Sequence, residues 1–179
     1  MNHQHTVIAA ALPLFLRYGY RKTSMEDIAT ATGFSRQSIY SWYPNKKSLF
    51  IAVVRATFAE TRKAYLQILS DDTLDGQEKV VDAFACYTGF ILGSDASVTS
   101  MDELVSVSMS FIPEDVERFE QEFLTTIESY FSTRGEYSAA IQTEILNAVS
   151  RGLKYSVVST EEYKRLMSAA VDLLLHQNT

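Results

Sequence analysis

Six of seven consecutive positions, Arg36, Gln37, Ser38, Tyr40, Ser41 and Trp42, carry side chains that can hydrogen-bond to nucleic acid. An arginine fork matches the paired acceptors of guanine, and a glutamine amide matches adenine. Serine and tyrosine hydroxyls bind phosphate oxygens, and the indole N–H of Trp42 can donate to one. The flanking residues supply a frame. Ser24 suits a helix N-cap, with Asp27 placed to return the bond as in a capping box. Ile28 and Ala31 form an apolar face. Gly33 fits a tight turn that favours positive φ. Ser35 caps a second helix, in which Ile39 and Tyr43, four apart, face inward. This is the pattern of a helix-turn-helix, whose second helix makes its base contacts near its N-terminus.

Charge agrees. The chain has a formal net charge of −6 and a pI near 5.1, but the charge is unevenly placed. Residues 1–56 hold seven Lys or Arg against two acids (Glu26, Asp27); the remainder holds nine against twenty. A basic end on an acidic chain is the electrostatic footprint of a nucleic-acid surface.

In order along the chain stand Ala10-Ala11-Leu12 with Phe15 and Gly19-Tyr20, Thr23-Ser24-Met25-Glu26-Asp27-Ile28-Ala29, Gly33-Phe34-Ser35, Ile39-Tyr40, and Tyr43-Pro44-Asn45-Lys46-Lys47-Ser48-Leu49-Phe50. The segment from Val7 to about Phe58 resembles the DNA-binding domain of TetR-family transcriptional regulators. The resemblance implies phosphate contacts by Tyr40 and Lys46, base reading by Arg36 and Gln37, and packing of Tyr43 beneath the recognition helix. Trp42 stands where that family commonly has histidine. Pro13 removes one backbone hydrogen bond, so a kink or a late start is expected in the first helix.

Apolar residues make up 46% and charged residues 21% of 179, the balance of a folded globular chain. No apolar run approaches the ~20 residues of a membrane-spanning helix. The N-terminus lacks signal-peptide order, and a cytoplasmic location is expected. The single cysteine, Cys86, excludes a disulfide framework and reads as a buried inert thiol.

Helical periodicity continues almost throughout. Asn45 caps a long fourth helix, which Asp71-Asp72 ends. A fifth carries Val80, Val81, Phe84, Tyr87, Phe90 and Ile91. Residues 93–97 read as a loop, 98–111 as a shorter helix, and Pro113 as the start of another. Thr133-Arg134-Gly135 breaks that helix. The last two run from about Ser138 to Val158 and from Ser159. The fold expected is all-α, with a helix-turn-helix DNA-binding domain over residues 1–50 and a larger helical ligand-binding and dimerisation domain over 51–179.

The last two helices place Ile141, Ile145, Val149, Leu153, Leu166, Ala170, Leu173 and Leu174 on wide apolar faces among small residues. These suit a two-fold four-helix interface, although the same stripes could pack on their own domain. Two half-sites need two readers, and the resemblance implies the same use of these helices. It also implies a small effector inside the larger domain. Phe84, Tyr87, Phe90, Met101, Met109, Phe123 and Tyr130 would suit an apolar or aromatic one, and equally an ordinary core.

Phosphate positioning is expected from Thr23 or Ser24, Ser35, Tyr40, Trp42 and Lys46 or Lys47, and base reading from Arg36, Gln37 and Ser38. Ser41 completes the exposed set. No phosphate loop, zinc motif or nucleophile elbow is present, so neither an enzyme, a cofactor nor a metal is expected. His3, His5 and His176 lie at expected frayed ends. The function expected is a ligand-responsive repressor, a homodimer on a palindromic operator with no membrane partner. A helix-turn-helix activator or DNA binder without an effector is the alternative, and a helical enzyme or interaction module a more remote one.

Overall fold

The computed structural model describes residues 3–92, 98–132, 139–157 and 159–175, and among them every regular element is an α-helix. The helices are α1 (His3–Lys22), α2 (Met25–Thr32), α3 (Arg36–Trp42), α4 (Lys46–Ser70), α5 (Gly76–Leu92), α6 (Val98–Phe111), α7 (Pro113–Ser132), α8 (Ala139–Ser156) and α9 (Thr160–Leu175). The expected loop at 93–97, the break at 133–135 and His176 lie outside the described residues.

Caps set many of the boundaries. The Asp27 N–H donates to Ser24 Oγ at 3.1 Å while the Ser24 N–H donates to the Asp27 carboxylate at 2.8 Å. Asn45 with Ser48 and Asp75 with Glu78 form the same reciprocal pairs at the starts of α4 and α5. The Glu162 N–H donates to Ser159 Oγ at the start of α9. Each pair satisfies donors that a helix start leaves orphaned. Pro113, Glu114 and Asp115 open α7 with a fixed φ and acids at the positive end of the helix dipole.

The chain divides into two compact units, residues 1–59 with 94–117 and residues 60–93 with 118–179. The first break falls inside α4, and α6 groups with the N-terminal helices because it packs along α1.

In the first unit Val7, Ala11, Phe15, Ile28, Ile39, Leu49 and Phe50 are essentially sealed from solvent. Phe15, Tyr20 and Phe111 pack edge-on or stacked around Phe50 and each other, with centroids 5.0–6.2 Å apart. The fully buried Phe15 and Phe50 each contribute ~1.5–3 kcal/mol. In the second unit Tyr65, Phe84, Phe123, Ile127, Phe131, Leu146, Tyr163, Met167 and Val171 form the core.

Two expectations about α1 are corrected. Pro13 neither delays nor kinks the helix, which begins at His3. Pro13 is exposed, so the carbonyl deprived of its donor can be hydrated. The departure is at Gly19, with φ 78° and ψ 172°, a region open essentially to glycine alone. A Cβ there would also run into the Glu103 carboxylate of α6. Gly33 has φ 70° and ψ 6°, with open space where a methyl group would stand. Gly19→Ala should therefore lower the melting temperature well beyond Gly33→Ala, which carries only the ~1–2 kcal/mol left-handed penalty. Equal losses in thermal denaturation would contradict this account of Gly19.

Candidate nucleic-acid interface

Ser24 starts α2, and the Gly33 N–H returns to the Ala29 carbonyl at 3.0 Å to close it. Two residues later Ser35 caps α3, accepting from the Ser38 N–H at 3.1 Å. Ile39 and Tyr43 point inward, and burial raises the pKa of the Tyr43 phenol. The Tyr43 hydroxyl reaches the Gln4 carbonyl at 3.5 Å. With its inner face anchored, α3 presents Arg36, Gln37, Tyr40 and Ser41 to solvent. Spaced i, i+1, i+4 and i+5, they form one strip.

The strip is narrower than expected. Ser38 is half-buried, its hydroxyl 2.8 Å from that of Ser35. Trp42 is also half-buried. Its indole stacks on the His3 imidazole, centroids 5.8 Å apart, and meets the Phe34 ring edge-on at 5.4 Å. His3 therefore belongs to the first turn of α1 and to this aromatic cluster, not to a frayed end.

Arg36 is pre-positioned. Its Nη1 lies 2.9 Å from Glu26 Oε2, and its guanidinium sits 6.0 Å from the centre of the Tyr40 ring. A hydrogen bond to Tyr40, then the charge of Glu26, push its pKa further up, so it stays cationic. Hydrogen bonds from the Ser24 hydroxyl and backbone hold the Asp27 carboxyl below its ordinary value.

Two residues expected to contact phosphate are engaged within the protein. Thr23 is 1% exposed, and its hydroxyl donates inward to the Gly19 carbonyl at 2.7 Å and also approaches that of Leu14. Lys46 directs its ammonium at the carbonyls of Tyr20, Arg21 and Thr23, at 2.8, 3.2 and 2.9 Å. An ammonium has three donors, and all three are engaged. Partial burial lowers the Lys46 pKa, against an opposing pull from Glu103. Lys47 is exposed, with its ammonium 4.4 Å from the centre of the Phe111 ring. Ser24 and Ser35 are exposed but already act as caps.

Of the residues expected around an effector, Phe84 and Phe123 are fully buried and meet edge-on at 5.0 Å, and Tyr87 stacks on Phe123 at 4.1 Å. Burial raises the Tyr87 pKa strongly. Tyr130 is half-buried beside Phe131. Met109 is exposed on α6, in the first unit. The side chains of Phe90 and Met101 lie outside the described residues. An open cleft of about 360 Å³ between α5 and α9 is lined by other residues, including Gln77, Asp82, Lys164 and Ser168. Burial raises the pKa of the half-buried Cys86 thiol, which disfavours the reactive thiolate. Among the described residues, no group of three or more His, Cys, Asp or Glu is placed to hold a metal, and no helix is long and apolar enough to cross a membrane.

Ile141, Ile145 and Leu173 stand exposed on α8 and α9. Val149, Leu153, Ala170 and Leu174 are half-buried against the core of their own unit, and Leu166 is half-buried. Glu26 and His3 were absent from the expected site. Both act across the turn or from another helix, so neither leaves a periodic signal.

Residues 7–53 match the family model for bacterial regulatory proteins of the tetR family. The HTH-type transcriptional regulator YezE of Bacillus subtilis is 33% identical over 63 residues, which is 35% of this chain and 32% of YezE. The HTH-type transcriptional repressor ComR of Escherichia coli is 22% identical over 171 residues, covering 89% of this chain and 81% of ComR. The solved structure of SCO4454, a TetR-family transcriptional regulator from Streptomyces coelicolor, superposes with a TM-score of 0.78 at 14% identity, covering 97% of this chain and 94% of that one. This last likeness shows the fold. Residues 7–53 thus form a helix-turn-helix domain of the tetR family of bacterial regulatory proteins.

Lys46→Met keeps the side-chain stem and removes the three donors. It should lower stability by ~1–2 kcal/mol, since the carbonyls lose a charged partner that is only partly shielded from solvent. A melting temperature unchanged from wild type, with DNA affinity reduced, would instead assign Lys46 to phosphate.

Proposed function

We propose that this chain is a DNA-binding transcriptional repressor that acts as a homodimer on a near-palindromic operator and is released by a small molecule. The observation carrying the DNA reading is the strip Arg36, Gln37, Tyr40, Ser41 on a helix whose other face is anchored. Residues 1–50 form the DNA-binding part and residues 51–179 the effector and dimer part. Arg36 and Gln37 read bases, with Ser38 beside them. Tyr40, Ser41, Trp42, Lys47 and the caps Ser24 and Ser35 lie along the phosphates. Lys46 contributes its charge from behind. The repressor sense is supported by the likeness to ComR.

The dimer is supported by α8. Ile141, Ile145, Ala148, Gly152 and Tyr155 follow one another at intervals of four, three, four and three, and all are exposed. This is a 3.5-residue seam facing solvent, with Ile141 61% and Tyr155 68% exposed. Leu173, 66% exposed, and Ala169 add a second strip on α9. Small residues at the centre of the seam allow close approach of a second copy.

The effector is supported by two buried, unpartnered atoms on α8, Gln142 Oε1 and Thr143 Oγ1. Leaving such groups unpaired is costly, and a ligand bearing a donor would satisfy them. Phe84, Tyr87, Phe123 and Tyr130 are the aromatic side chains of the same unit that an apolar effector would meet. Binding would favour a reader separation that no longer matches two half-sites, with ~1–3 kcal/mol of coupling. This part fails if liganded and unliganded protein bind the operator equally.

One experiment separates the two main claims. DNA selected from a random pool by wild-type protein is titrated with Arg36→Ala and with Gly152→Arg. Arg36→Ala should lose preference at a single base pair in each half-site, by ~1–3 kcal/mol, and stay dimeric. Gly152→Arg adds a side chain where a Cβ meets nothing within 4 Å, so the protomer should stay folded. It should sediment as a monomer and bind half-sites weakly. An unchanged base preference in the first, or a wild-type dimer in the second, would remove the corresponding claim.

A further inference from the structure

Glu26 lies ten residues before Arg36, on the neighbouring helix, and is no part of the proposed set of DNA contacts. Its Oε2 is nevertheless 2.9 Å from Arg36 Nη1, with both side chains more than half exposed. Exposed ion pairs contribute ~0–1 kcal/mol, so this one does little for the fold. Its position matters more. Wherever Arg36 is offered to DNA, a carboxylate arrives with it.

We propose that Glu26 is a specificity-determining residue of the reader: it holds Arg36 for a base edge and opposes its capture by phosphate. The inference rests on the reading of α3 as the DNA-contacting helix. A guanidinium has five N–H donors. Guanine takes two of them through O6 and N7, leaving others for Glu26 and Tyr40, so base reading and the ion pair coexist. A phosphate that approaches Arg36 brings a full negative charge against the Glu26 carboxylate. It must either displace that carboxylate or meet its repulsion. Phosphate contacts carry no sequence information directly, so a group that disfavours them at Arg36 lowers binding to every wrong sequence. The neighbouring acid Asp27 cannot take this part, because Ser24 holds its carboxylate at the helix cap.

Glu26→Gln removes the charge with almost no change of shape. Operator DNA selected by the wild type, and the same DNA shuffled, are titrated by anisotropy over a series of salt concentrations. Affinity for shuffled DNA should rise about two- to fivefold, the range of an exposed charge pair. Operator affinity should change less, so the specificity ratio falls. The salt dependence on shuffled DNA should steepen by ~0.9 in log–log slope, one more phosphate neutralised. In an Arg36→Ala background, Glu26→Gln should leave the ratio unaltered. Glu26→Ala, alanine being the strongest helix former, repeats the test should the glutamine variant fold poorly. Equal gains on both DNAs, or none on either, would overturn the proposal while leaving the reader intact. A wild type that does not discriminate the two DNAs removes the reader and this inference with it.

Discussion

The first unit turns on the carboxyl end of α1. Gly19 leaves helical geometry there, and the carbonyls freed by that departure must find donors. Thr23 supplies one from the start of α2, donating to Gly19. Lys46, at the start of α4, takes the carbonyls of Tyr20 and Arg21 and, just beyond α1, that of Thr23. From α6, the Glu103 carboxylate accepts the Arg21 N–H at 2.8 Å and occupies the space that a side chain at position 19 would need. Four helices are thus fixed at one point by hydrogen bonds to main chain. The Gly19 carbonyl is buried, and leaving it without its Thr23 donor would cost ~1–3 kcal/mol.

The reader follows from that junction. Helix α3 has seven residues, far too short to be stable by itself. It is held by Ile39 and Tyr43 beneath, by the Ser35 cap before it, and by the Trp42 ring against His3 and Phe34. Only its outward strip remains free to meet a ligand. The contacts on that strip, such as Arg36 with Glu26 and Tyr40, are solvent-exposed and weak. Weak contacts of this kind can be exchanged for others without loss of the fold, which suits a binding surface.

Local features were legible in the sequence, and distant ones were not. Ser24, Asp27, Gly33 and Ser35 announce the helix-turn-helix because caps and turns depend on residues three or four apart. Pro113 and Ser159 mark helix starts for the same reason. The role of Lys46 could not be read this way, because its acceptors lie 23–26 residues earlier. Thr23 looked like a surface hydroxyl until the Gly19 departure brought a carbonyl beneath it. His3 read as terminal, yet Trp42 lies 39 positions away in sequence and against its ring in space. The grouping of α6 with α1 likewise depends on packing, to which helical periodicity is blind. In the second unit the apolar stripes were clear, but which side of α8 faces the core required the fold: Leu146 is sealed, while Ile141 and Ile145 are open.

The central claim is that α3 reads DNA sequence. Trp42, the single tryptophan, lies at the end of that helix and reports on it directly. The most direct measurement is a titration of the protein with DNA from upstream of its own gene and with a shuffled control, at low and moderate salt, following Trp42 emission and the anisotropy of labelled DNA. The account predicts a saturable change with the upstream DNA alone, weakening steeply as salt rises. No change in either signal with either DNA would contradict it.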